Sequence, residues 1–145
     1  MRYEGVFEVP SGRKEVYAFL TDPSKVTTIF PDVEGLVVID ENNFTLKAKV
    51  GMSFIRGTLN VKMKVLEKNA PSHAWFKAVG TGVSSTVDLE AAFDIEERAG
   101  VGSKVKWTAD AKISGLMASI GSRVIDAAAA KYVQSIVGSL KEKLS

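Results

Sequence analysis

Between Gly35 and Ile113 apolar and polar residues alternate with a period of two, the pattern of strands with one dry face. Phe44, Leu46, Ala48 and Val50 alternate with Asn43, Thr45, Lys47 and Lys49. Ile55, Gly57, Leu59, Val61, Met63 and Val65 alternate with Phe54, Arg56, Thr58, Asn60, Lys62 and Lys64. Ala74 to Val79 follows, and then Val87, Leu89, Ala91, Phe93 and Ile95 alternate with mainly acidic or polar neighbours. A last run places Val105, Trp107, Ala109, Ala111 and Ile113 against Lys104, Lys106, Thr108, Asp110 and Lys112. A short strand at Leu36–Ile39 precedes them. Turn signals separate the runs: Glu41-Asn42-Asn43, Gly51-Met52, Asn69-Ala70-Pro71-Ser72, Gly80-Thr81-Gly82 and Gly100-Val101-Gly102.

The flanks read differently. Arg2 to Val9 suits a strand, ended by Pro10-Ser11-Gly12. Ser11 can cap a short helix over Arg13–Leu20, and Asp22-Pro23 signals a second one reaching about Thr28. At the other end, Leu116 to Leu144 carries no proline and two apolar rows at helical spacing. One row is Leu116, Ile120, Val124 and Ala128; the other is Met117, Ile125, Ala129, Tyr132, Ile136 and Leu140. Ser114 and Gly115 mark its expected start, and a helix of this length would span ~40 Å. Its apolar face is partly stripped of bulk by Gly121 and by Ala127 to Ala130. The expected architecture is α+β: a curved antiparallel sheet of about seven strands wrapped around one long C-terminal helix, with two short helices after the first strand.

With 145 residues the chain is read as one domain over 1–145, large enough for one core. It has no cysteine, which excludes disulfides, thiolate catalysis and cysteine-ligated metal. A net charge of +2 gives no reason to invoke nucleic acid. No apolar run has the length of a membrane span, and the N-terminal residues lack a signal-peptide core, so a soluble, cytoplasmic protein is expected.

Few residues carry chemistry. His73 falls in a turn with no evident partner for base catalysis. Asp88 with Glu90, and Asp94 with Glu96, share one face but face lysines on the next strand, so ion pairing outweighs acid–base work. Gly80-Thr81-Gly82 precedes a strand, unlike a phosphate loop, and Ser84 and Ser85 lack an activating base. Trp75, Phe76 and Trp107 are not interleaved with arginines, which favours packing over base stacking. No spaced acid cluster suggests a metal, and no cofactor is expected.

The inward surface is the stronger signal. Its expected lining is Leu46, Ala48, Leu59, Val61, Met63, Leu89, Ala91, Phe93, Trp107, Ala109 and Ala111 from strands, with Met117, Ile120, Val124 and Ala128 from the helix. Several are small where a filled core would favour leucine. Residues alone leave a ligand cavity and a closely packed core equally open. On the outer face, Lys47, Lys49, Arg56, Lys62 and Lys64 form an expected basic patch.

These features resemble the carbon monoxide dehydrogenase G-subunit family, within the START-like, helix-grip superfamily. The matching segments are Tyr3-Glu4-Gly5 with Phe7, Leu20-Thr21-Asp22-Pro23, Phe30-Pro31, Lys49-Val50-Gly51, Gly80-Thr81-Gly82 and, most specifically, Gly115 to Asp126. Asp32 stands where the family usually has glycine. The resemblance covers essentially the whole chain and favours a cavity. It implies a non-catalytic module for a hydrophobic molecule, lipid or quinone-like, serving a carbon monoxide dehydrogenase or related oxidoreductase as an accessory or recruitment factor; the basic patch adds the expectation of peripheral contact at the inner membrane face. A polyketide-cyclase-like enzyme using the same cavity, and an interaction protein with a filled core, are the competing readings.

Overall fold

The computed structural model describes the whole chain, Met1–Ser145. Its elements run β1 (Arg2–Val9), α1 (Arg13–Thr21), α2 (Pro23–Val26), a 3₁₀ turn (Thr27–Ile29), β2 (Val33–Asp40), β3 (Asn43–Met52), β4 (Ile55–Asn69), β5 (His73–Gly82), β6 (Ser85–Arg98), β7 (Gly102–Gly115), a second 3₁₀ turn (Leu116–Ile120) and α3 (Ser122–Lys143). All seven strands join one sheet in the order β1-β7-β6-β5-β4-β3-β2, and every neighbouring pair is antiparallel. This is the expected helix-grip arrangement. β1 and β2 are left as the free edges. Pairing of β2 with β3 slips between Glu34 and Val37 and again between Val38 and Asp40.

One end of the sheet is sealed. Phe7, Val9, Val65, Ala74, Phe76, Phe93, Ile95 and Val105 from the strands meet Val16 and Leu20 of α1, Val26, Ile29, and Leu140 and Leu144 of the C-terminus. Burying each large side chain there contributes roughly 1.5–3 kcal/mol. Asp22 caps α2 as its sequence suggests, accepting from the Ser24 N–H at 2.9 Å. Ser11 does not cap α1; Gly12 holds that position. Ser11 instead donates to the Leu144 carbonyl at 2.5 Å, and its own carbonyl accepts from the buried Ser103 hydroxyl at 2.8 Å. Near the start of α3, the Tyr3 hydroxyl donates to Asp126 at 2.7 Å. The bonds of Ser11 and Tyr3 fasten both ends of the helix to the start of the chain.

The long helix is shorter than its apolar rows suggest. β7 runs through Ser114 to Gly115, and a 3₁₀ turn occupies Leu116–Ile120. Gly121, at φ 98° and ψ 150°, takes a conformation that only glycine adopts readily, so α3 begins after it. The β5–β6 turn also moves. Gly80 and Gly82 lie within β5, and the turn is made by Val83 and Ser84, both at positive φ (45° and 56°). Gly82 is required for another reason, because a Cβ there would collide with the Thr58 carbonyl oxygen.

Candidate functional site

Strand parity and register set the inner surface row by row. Val61, Gly80, Val87 and Ile113 follow one another across β4 to β7; the next row is Phe44, Met63, Ala78, Leu89 and Ala111. Beyond it lie Val65, Phe76, Ala91 and Ala109, and then Ala74, Phe93 and Trp107, which pairs with Gly5. Gly5 is small of necessity, since a Cβ would come within 2.8 Å of the Trp107 ring. All eleven strand residues expected on the inner surface point that way. Leu46, Leu59 and Phe93 are buried, whereas Ala48, Val61, Met63, Leu89, Ala91, Trp107, Ala109 and Ala111 retain partial access. The expected lining omits the inward residues of β5: Ala74, Phe76, Ala78 and Gly80. Their alternation with Trp75, Lys77 and Val79 is the signal that would reveal them.

The helix contributes a different row from the one expected. On α3, Ile125 and Leu140 are buried, with Ala129 and Ile136 of the same apolar row partly so, and Tyr132 of that row exposed. Val124 is turned outward, 41% exposed, and does not line the interior. Ile125 beside it is 8% exposed and takes its place. Met117 is buried and its N–H donates to Ser85 Oγ at 2.8 Å; Ile120 and Ala128 are partly accessible.

Tyr132 is the anomaly of this row. It sits between buried Ile125 and buried Leu140 at inward spacing, yet it is 41% exposed. Burial, with the Asp32 carboxylate adding to it, pushes its phenol up to about 12. The inner rows of β5 to β7 carry Gly80, Ala78, Ala91, Ala109 and Ala111, and the helix itself is alanine from 127 to 130. A separate, open surface groove runs between the β1 edge and α3, lined by Glu4, Val6, Trp107, Gln134, Val137 and Lys141 among others; Tyr132 is not part of it.

The outer face holds the charges. Lys47, Lys49, Arg56, Lys62 and Lys64 are all exposed, and none forms an ion pair. Lys77 extends the patch opposite Lys64, while Glu34 stands opposite Lys47 at its border. Hydrogen bonds from Asn43 and Asn42, with Lys64 helping, hold the Asp40 carboxyl below its usual range. On β6 and β7, Glu96 pairs with Lys106 at 2.9 Å and Asp88 faces Lys112. Glu90 faces Asp110 as well as Lys77, so neutralisation there is incomplete.

Two expectations about single residues change. His73 opens β5, and its Nδ1 lies 2.8 Å from Asp94 Oδ1, so it does have a partner. The pair lies on the solvent face, far from the apolar interior. Trp75, expected to pack, points outward, while Phe76 is buried in the core. No group of three His, Asp or Glu residues converges as metal ligands would.

A curved antiparallel sheet closed by one C-terminal helix over an apolar, partly accessible interior defines a START-like helix-grip domain. The sequence matches the family model of the carbon monoxide dehydrogenase G-subunit (CoxG) over residues 5–145, and the chain belongs to that family. A conserved protein from Geobacillus kaustophilus has the same fold at TM-score 0.90 and 20% identity, with 99% of this chain and 95% of that one covered. A START superfamily protein from Mycobacterium smegmatis matches at TM-score 0.72 and 11% identity, covering 99% and 96%. The di-domain ARO/CYC BexL of the BE-7585A biosynthetic pathway matches at 0.66 and 11%, covering 100% of this chain and 50% of that chain. At these identities the likeness speaks for the fold alone. No protein of curated function matches the sequence.

Proposed function

We propose that this protein is a non-catalytic carrier that holds an apolar small molecule, lipid or quinone-like, in a cavity between the sheet and α3. It serves a carbon monoxide dehydrogenase or related oxidoreductase as an accessory factor, in keeping with its family. The observation that carries the reading is the inner sheet face, where Ala48, Val61, Met63, Leu89, Ala91, Ala109 and Ala111 stay partly accessible. A filled core would have buried them, as it buries Phe93 on the same face. Native mass spectrometry of protein purified from its own host tests the reading. Co-purification of a lipid or quinone supports it, and an empty protein that takes up no apolar dye removes it.

Membrane contact is the second part of the proposal. The patch of Lys47, Lys49, Arg56, Lys62 and Lys64 is unpaired, and near an anionic bilayer each such residue adds ~1 kcal/mol. No helix is long and apolar enough to cross a membrane, so the contact would be peripheral. Parent protein should co-sediment with anionic vesicles at low salt, and a variant with Lys47, Lys49, Lys62 and Lys64→Glu should not. Equal binding by the two would leave the patch without this role. A competing enzymatic reading needs an inward acid, arginine or tyrosine, and Tyr132 is the candidate to test first. Turnover of a polyketide-like substrate that is lost in Tyr132→Phe would favour that reading over a carrier.

A further inference from the structure

Three reversals of the chain share the end of the sheet opposite the sealed core. The β3–β4 hairpin turns at Ser53-Phe54, beyond the paired Met52 and Ile55. The β5–β6 turn, Val83-Ser84, lies over β4, where Gly57 leaves the space that the Val83 side chain fills. β7 ends at Gly115 opposite Ser85, and the 3₁₀ turn after it is tied to the β5–β6 turn. The Leu116 N–H donates to the Ser84 carbonyl at 2.9 Å, and the Met117 N–H to Ser85 Oγ at 2.8 Å. Register and these bonds join the three turns into one tip.

This tip differs from the rest of the surface in apolar exposure and in charge. Phe54 is 66% exposed, more than any other large apolar residue of the chain, and Leu116 and Val124 stand beside the 3₁₀ turn at 44% and 41%. Tight turns ordinarily take polar residues or glycine, so the fold itself does not call for an aromatic ring there. Residues 49–58, 81–87 and 111–125 include Lys49, Arg56, Lys112 and Arg123 and no acid. The acids at the border are Asp88, which faces Lys112, and Asp32, whose carbonyl accepts from the Lys49 N–H. The other end of the sheet is mixed in sign, with Glu67, Asp94, Glu96 and Glu97 among Lys68, Arg98 and Lys104.

We infer that the tip inserts Phe54 and Leu116 into the headgroup region of an anionic bilayer, with Lys49, Arg56 and Arg123 against the lipid phosphates. The inference rests on the membrane contact proposed above and gives it a direction: the lysine face attracts, and the tip holds. Uncovered apolar side chains ringed by cations match a surface that is negative outside and apolar beneath. The acids of the sealed end keep that end turned to water.

Co-sedimentation with vesicles of equal parts phosphatidylcholine and phosphatidylglycerol tests this in the parent, in Phe54→Ser and in Phe54→Trp. Phe54 lies largely outside the packed structure, so neither change should move the urea midpoint. Phe54→Ser should bind about tenfold more weakly, the scale of burying one large apolar side chain. The emission added in Phe54→Trp should be quenched by brominated phosphatidylcholine in the vesicles. Trp75 and Trp107 of the parent pair with Ala92 and Phe93, away from the tip, and should not respond. Equal binding by parent and Phe54→Ser, or bound Phe54→Trp that bromine leaves unquenched, overturns the tip and returns the contact to the lysine face. Parent protein that binds no vesicles at low salt overturns the membrane reading beneath it. Self-association of the parent that Phe54→Ser abolishes, with no vesicle binding, overturns the inference in favour of a second copy.

Discussion

The sealed end of the sheet and its middle are built from the same alternation, yet the first is buried and much of the second keeps partial access. At the sealed end, Phe76, Phe93, Ile95 and Val105 meet helices from two directions, α1 with its neighbour α2 and the C-terminus of α3. In the middle only α3 lies across the sheet, and Ala78, Gly80, Ala91, Ala109 and Ala111 stand among larger residues such as Phe44, Met63 and Leu89. Alternation therefore specifies which face is dry but not how deeply it is buried. Depth depends on side-chain volume and on how many layers converge.

The sharpest way to break this comparison is to remove bulk from the sealed end. Phe76→Ala should cost ~3–5 kcal/mol, read as a lower urea midpoint at unchanged slope. A loss below about 1 kcal/mol would mean that this end is not the packed core. Gly121→Ala strains the positive-φ break before α3 and should cost about 1 kcal/mol by the same assay. An unchanged midpoint would show that the helix can start elsewhere.

Adding bulk to the middle should do least to stability and most to binding. Ala111→Leu or Ala128→Leu is expected to cost under about 1 kcal/mol while displacing an apolar dye, whereas in a filled core the same changes overpack and cost ~1–3 kcal/mol. That larger loss, in a parent that takes up no dye, would make the two regions equivalent. The smallest effect is that of alkaline pH. The Tyr3 phenol is pushed up to about 12 by burial first and by its bond to Asp126. Its raised value favours the neutral form in the folded protein, so the contribution is complete below the ordinary value of 10.0 and is lost as pH rises towards 12. Tyr3→Phe should flatten that part of the stability profile; an unaltered profile would assign the alkaline loss to other groups.

Strand faces are legible in the sequence because a period of two survives every error of turn position. The eleven inner strand residues follow from it, even though the β5–β6 turn is Val83-Ser84 and not the glycines before it. The helix row is not legible in the same way. Gly115 and Gly121 look like small residues in an apolar run, and nothing local says that their backbones leave helical space. A start displaced from Leu116 to Ser122 changes which row is read as inward, so Val124 is expected inside and Tyr132 is not expected on the lining. The pairing of His73 with Asp94 depends on register between β5 and β6, which is non-local. The exposure of Tyr132 depends on what lies opposite it, and no single segment records that.

The irregular edge at β2 bears on colloidal behaviour. Val37, Val38 and Ile39 are exposed on a strand paired on one side only, and the strand carries neither lysine nor proline to discourage addition of another chain. Its two register slips, beside Gly35 at φ 64°, interrupt the regular ladder that an incoming strand would need. Irregularity here stands in for lysine as the guard against aggregation. Straightening the edge by deleting Gly35 should make the protein scatter light at concentrations where the parent stays clear, and equal clarity would show that the slips do not protect it.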